Sequence, residues 1–153
     1  MDTCTLCKAP IPGTSPETWT TLDGRAVEVA RSIRPSIVAH TSVGEFEICE
    51  ACYRHRLPSY FTPQDLAGIH YQFGLEYRDR QQFDSCVESL TEARGVSETA
   101  DIVAALAAAQ DDLGCGELAV ALYRRALELD PSHFMARENL KCLTGSPGTN
   151  HGQ

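Results

Sequence analysis

The feature that most constrains this chain is a pair of C-x-x-C motifs, Cys4-Thr5-Leu6-Cys7 and Cys49-Glu50-Ala51-Cys52. Each such turn bends the backbone so that two sulfurs reach one ion at about 2.3 Å, and two turns complete a tetrahedral shell. A closed four-sulfur shell has no open coordination position, so the ion is structural and cannot activate water. Zinc is the metal that this spacing favours, although iron uses the same four sulfurs and the sequence does not separate them. A redox-active C-x-x-C occurs once, beside a βαβ pattern, and here there are two motifs and no such pattern. His40 and His55 are possible substitute ligands and read better as surface histidines.

The segment between the motifs must fold back on itself. Trp19-Thr20-Thr21-Leu22 and Arg25-Ala26-Val27-Glu28-Val29 flank Asp23-Gly24, a strong hairpin signal. Glu45-Phe46-Glu47-Ile48 alternates polar and apolar residues and runs into Cys49. Three prolines and a glycine between Lys8 and Pro16 predict a loop. Residues 29–40 fit either a strand or a short helix, with Pro35 breaking both. The sequence from Cys52 to Leu57 predicts a helical turn ended by Pro58. The candidate core of this segment is small: Leu22, Val27, Val29, Ile33, Ile37, Val38, Phe46 and Ile48. A bound zinc contributes on the order of 10 kcal/mol or more to the folding of comparable modules, which makes this fold conditional on metal.

From Thr62 onward the periodicity is helical. Thr62 suits an N-cap and Pro63 the first helical position, with Leu66, Ile69, Phe73 and Tyr77 on one face. A second run carries Phe83, Cys86, Val87, Leu90 and Ala93, with Gly95 as its stop. A third begins at Thr99 with Ile102, Val103, Leu106 and Gln110, ending at Gly114. A fourth holds Leu118, Ala119, Leu122, Tyr123, Ala126 and Leu127, up to Asp130-Pro131. Offset by one repeat, Phe73-Gly74 falls on Leu106-Ala107, Cys86 on Ala119, Leu90 on Tyr123 and Ala93 on Ala126. A plain bundle of four or five helices is the alternative.

Two resemblances follow from these residues. The spacing of the first 57 residues resembles the treble-clef and zinc-ribbon group, in which one knuckle precedes a hairpin and a second opens a helix or turn. Lys8 departs from that pattern, standing where many such knuckles carry glycine. The helical part resembles the tetratricopeptide repeat, a helix–turn–helix unit of about 34 residues. Its second copy matches at Leu106, Gly114, Ala119, Tyr123, Ala126 and Leu127-Glu128-Leu129-Asp130-Pro131. The first copy keeps Phe73, Gly74, Tyr77, Phe83 and Ala93, has Cys86 where alanine is usual, and lacks the closing proline. Phe134-Met135-Ala136-Arg137-Glu138-Asn139-Leu140 resembles the opening of a third unit, cut short at Gly145, in the place of a capping helix.

The expected architecture is therefore mainly α, with a small zinc-bound β-rich module at residues 1–57 and a linker at 58–62. A short α-solenoid of two repeats plus a capping helix follows at 63–145, and 146–153 reads as a disordered tail. In the repeat family the first helix of each pair lines a concave groove for a peptide. Carried over by position, that lining is Tyr71, Leu75 and Arg78 from the first unit and Ala104, Ala108 and Asp111 from the second. It lacks the basic cluster that some relatives use to hold a carboxylate terminus.

Charge narrows the partners. The 153 residues carry a net charge of -8. Residues 1–60 have six Lys/Arg against seven Asp/Glu, and the remainder has seven against fourteen. A nucleic-acid binder needs a basic face, which the helical half lacks. The clustered Arg25, Arg31, Arg34, Arg54 and Arg56 keep open an alternative in which the zinc module binds nucleic acid or regulates. No apolar run is long enough to cross a bilayer, and no signal peptide is visible at Met1-Asp2-Thr3-Cys4. The odd cysteine count, seven, points to a reducing cytoplasm. Cys86 and Cys142 read as core or near-core residues and Cys115 as an accessible turn residue. His70 and His133 have no nucleophile at a motif-defined position, and no phosphate loop is present. The expected function is a non-catalytic adaptor that binds another protein or peptide, with a structural zinc.

Overall fold

The strands on either side of Asp23-Gly24 pair antiparallel, but one residue out of the register that a two-residue turn there sets, which would put Trp19 opposite Glu28. In this computed structural model the residues described are 3–8, 14–20, 26–32, 35–55 and 57–145, with backbone alone at 14–20 and 26–32. Residues 21–25 with the expected Asp23-Gly24 turn, the expected tail 146–153, and Ile33, Arg34 and Arg56 lie outside them. β1 (Thr14–Thr20) runs antiparallel to β2 (Ala26–Ser32), with Trp19 opposite Val27. Pro16, expected in a loop, sits instead inside β1 opposite Ala30. A two-stranded sheet consists only of edges, where a missing N–H is tolerated.

The ambiguous stretch at 29–40 is extended on both sides of Pro35. β3 (Ser36–Thr41) pairs antiparallel with β4 (Gly44–Cys49), placing Ile37 opposite Ile48 and Ala39 opposite Phe46. Gly44 takes φ 127 in the connecting turn, and Thr41 Oγ1 closes that turn by accepting from Val43 N at 3.2 Å. Ile37, Ala39 and Ile48 are buried, whereas Val38, expected in the core, points to the other face and is exposed. α1 (Glu50–His55) starts before the last cysteine of its motif and stops ahead of Pro58. Residues 58–62, read as a linker, include the buried Phe61, whose ring stands edge-on to Phe46 at 5.2 Å. Such aromatic pairs contribute roughly 0.5–1.5 kcal/mol beyond their buried area.

The chain divides into two compact units, 1–62 and 63–153. The second is made of α2 (Pro63–Asp79), α3 (Phe83–Val96), α4 (Ala100–Asp112), α5 (Gly116–Leu129) and α6 (Phe134–Thr144). Each helix packs chiefly on its neighbours in sequence, α2 on α3, α3 on α4, α4 on α5 and α5 on α6. That is the pattern of a short solenoid, in which each repeat touches only the next. The protein is thus mainly α, with a small β module followed by stacked helical hairpins.

The repeated small residues form the helix contacts. Cys86, Ala93, Ala107, Ala119 and Ala126 have no exposed surface. Thr99 caps α4, its side chain accepting from Ile102 N at 3.2 Å, and Gly114 follows that helix at φ 83. Gly95 does not stop α3. The helix continues to Val96 and ends at Ser97, extended at φ -154, whose N–H donates to Ala93 O at 2.9 Å. Leu118 and Cys142, expected at or near the core, are both exposed. Among the described residues no helix is long and apolar enough to cross a membrane.

Candidate functional site

The four motif cysteines converge at one point of the first unit. Cys4 and Cys7 lie on the turn at residues 3–8, Cys49 ends β4, and Cys52 lies in α1. Thr5 anchors the first turn to β4: its N–H donates to Glu47 O at 2.7 Å, and its Oγ1 accepts from Glu47 N at 2.8 Å. Nothing in the local sequence singles out Thr5, because its role depends on a strand more than forty residues away. Lys8 N donates to Cys4 O at 2.9 Å, and Lys8 takes φ 62. The lysine therefore keeps the left-handed backbone that glycine supplies in similar knuckles, at a cost of about 1–2 kcal/mol.

The sulfur geometry tests whether a metal fits. Cys4 Sγ stands 3.7 Å from Cys52 Sγ, and Cys7 Sγ stands 3.8 Å from Cys49 Sγ. All four sulfurs lie within 4.8 Å of one another. Ligands placed tetrahedrally about 2.3 Å from a centre are separated by about 3.8 Å, which these pairs match. A disulfide needs about 2.05 Å, so the cysteines are thiols or thiolates. The donor set therefore fits one metal ion.

Burial raises the Cys4 thiol, but donors from the backbone of Cys49, Cys7 and Leu6 outweigh it and bring the group down to about 7. Burial and the adjoining sulfurs push Cys52 up, and burial also raises Cys49. Four thiolates this close repel one another strongly, so full ionisation needs a cation among them. His40 and His55 are exposed and outside the cluster, with His40 Nδ1 3.3 Å from Glu45.

The second unit carries a groove. A concavity of about 360 Å³ is lined by residues of α2, α4, α5 and α6, including Tyr71, Ala104, Tyr123, Met135 and Asn139. A smaller one of about 210 Å³ adjoins it, reaching Asp111, Cys142 and Leu143. Arg78, Ala108, Tyr123 and Asn139 belong to both. Of the residues carried over by position, Tyr71, Arg78, Ala104, Ala108 and Asp111 line this continuous groove, and Leu75, half-buried, does not.

The walls are held by cross-helix bonds. Arg78 Nε donates to Asp112 Oδ2 at 2.8 Å, joining the ends of α2 and α4. Asn139 Nδ2 donates to Tyr123 Oη at 3.0 Å. His133 caps α6 by accepting from Ala136 N at Nδ1, so its neutral ring carries the proton on Nε2 and donates it to Asp101 Oδ1 at 2.8 Å. With both nitrogens engaged, this His–Asp pair joins α4 to α6 and offers no general base to the groove. Burial raises the Tyr71 and Tyr123 phenols, which stay protonated at neutral pH.

The carry-over by position does not reach Tyr123, His133, Met135, Asn139 or Cys142: shifted by the same interval once more, Ala104, Ala108 and Asp111 fall on Arg137, Lys141 and Thr144, none of which lines either concavity. Of the arginines behind the nucleic-acid alternative, only Arg54 has a described side chain, and it lies 3.7 Å from Glu50.

Neither protein-family models nor curated proteins give a match to this chain. Among solved structures the chain is similar to a thermophilic TPR protein of Thermus thermophilus, at 31% identity and a TM-score of 0.48. That similarity covers 51% of this chain and 40% of the other, so this chain spans well under half of that protein's length.

Proposed function

We propose that this protein is a non-catalytic adaptor. Zinc held by Cys4, Cys7, Cys49 and Cys52 organises the first unit as a treble-clef or ribbon-like module. Tetratricopeptide-like repeats in the second unit hold a segment of another protein in their groove. The observation that carries this reading is the groove itself, where Tyr71, Arg78, Ala104, Ala108 and Asp111 meet α6 across an open concavity. A closed sulfur shell leaves the zinc no catalytic position, so its role is to hold the fold. Stacked helical repeats are used mainly to present such surfaces, and that step is an analogy of fold.

The test compares two double variants by affinity isolation from native extract. Tyr71→Ala with Arg78→Ala removes groove walls, and Arg54→Ala with Arg56→Ala removes charge from the zinc module. Loss of a bound protein with the first pair alone is the expected result. If the second pair alone matters, and the lost ligand is RNA or DNA with a steep salt dependence, the adaptor reading is wrong.

A further inference from the structure

We propose that the groove takes an extended protein segment carrying two basic side chains about four residues apart, a sharper statement that rests on the groove reading above. Asp101, Ala104, Ala108 and Asp111 fall along one stripe of α4, facing the groove. The two alanines leave room for a backbone to lie close. The two aspartates stand at opposite ends, ten residues and so about 15 Å apart along the helix. An extended chain rises about 3.3 Å per residue, so four to five residues span that distance.

The charges available to a ligand are negative. Asp101 keeps 74% of its side chain exposed even while accepting from His133, and Asp111 is exposed. Arg78 is the one Lys or Arg among the lining residues, and its charge is matched by Asp112 at 2.8 Å. An acidic segment or a terminal carboxylate would meet Asp101 and Asp111 with no unmatched cation to receive it. A lysine or arginine at each end meets a carboxylate instead. Between them, Asn139 Oδ1 is left to accept a peptide N–H, because its Nδ2 already serves Tyr123. Exposed Met135 lines the wider concavity together with Asp101, and Leu143 the smaller together with Asp111, so each concavity offers a basic stem apolar surface as well as a carboxylate.

The experiment uses the full-length, metal-loaded chain and three pools of capped nonapeptides. One holds Lys at two positions separated by three randomised residues, one holds Glu at the same positions, and one is randomised with a free C-terminal carboxylate. Binding is read by fluorescence anisotropy at two salt concentrations, with circular dichroism checking that each variant is folded. The lysine pool should bind preferentially, and Asp101→Asn and Asp111→Asn should each weaken it by roughly 2- to 5-fold, as for exposed ion pairs. Preference for the glutamate or free-carboxylate pool overturns the basic-segment proposal and leaves the groove reading standing. Lysine-pool binding that ignores both aspartates and survives Tyr71→Ala is general attraction to an acidic surface and overturns the proposal. Failure of all three pools to bind the wild-type chain overturns the proposal and counts against the groove reading as well.

Discussion

Gly74 shows what one residue can decide. It lies on α2 where the repeat wants a small side chain, and a Cβ built there would stand 2.7 Å from both Cγ and Cδ2 of Leu90. Leu90 has no exposed surface, so it has nowhere to swing. Gly68, on the same helix, has nothing within 4 Å of its Cβ position. Replacing a mid-helix glycine by alanine gains about 0.5–1 kcal/mol where there is space. Overpacking a close contact costs about 1–3 kcal/mol. Gly68→Ala should therefore raise the denaturant midpoint of the helical unit, and Gly74→Ala should lower it. Equal effects from the two variants would show that the α2–α3 contact is looser than the structure has it. At this scale the sequence was informative wherever the neighbour is close along the chain. Thr99, Gly114 and Cys86 play the roles their local pattern implies. Val38, Leu118 and Cys142 do not, because helical or strand periodicity identifies a face only to within a residue or two, and the packed neighbour decides which side is covered.

Glu98 plays the corresponding part between elements. It sits in the connection from α3 to α4, and its carboxylate takes Arg94 of α3 at 2.9 Å and Arg125 of α5 at 2.6 Å. Arg125 also reaches Glu128 at 3.0 Å. The hydrogen bonds from Arg125 and Arg94 draw the Glu98 carboxyl from 4.5 to about 2. A carboxyl depressed by folding stabilises the fold fully above its unfolded value, and that stabilisation is lost as pH falls through its folded value. The contribution of Glu98 should thus be intact above about pH 4.5 and vanish between there and about pH 2. Thermal unfolding of Glu98→Gln should show a shallower acid loss than wild type over that interval and a small difference at neutral pH, as suits a surface pair. An identical acid slope in both proteins would remove Glu98 from the link between the hairpins. The spacing of Arg94 and Glu98 is local, but the reach to Arg125 across 27 residues was not legible in the sequence.

At the scale of the molecule, the two units have different sources of stability. The described core of the first is Ile37, Ala39, Ile48, Tyr53 and Phe61 around the cysteines, and a small module of this kind draws on a bound metal where its apolar core is small. The second buries Ile69, Phe73, Tyr77, Leu90, Val103 and Tyr123 in continuous helix contacts. Metal analysis of purified protein should find one zinc per chain, and Cys4→Ser or Cys49→Ser should abolish it. Chelation under reducing conditions should unfold the first unit, since the ion supplies on the order of 10 kcal/mol. The far-ultraviolet helical signal of α2 to α6 should persist. Its collapse on chelation would mean that the helices, too, depend on the metal.

The sequence by itself determined which four cysteines come together, that the strands on either side of Asp23-Gly24 pair, the number of long helices and the positions of their small contact residues. Each is written in spacings of two to four residues, or in a repeat that copies itself. Only the tertiary structure decided that Thr5 locks the first knuckle to β4, that Lys8 takes a glycine's backbone, and that Phe61 belongs to a core rather than a linker. It alone brought His133, Asn139 and Met135 of the last helical segment to the groove of α2 and α4. The physical reason is range: spacing records which face of an element is apolar, whereas a groove is the space left between faces whose separation no local pattern encodes.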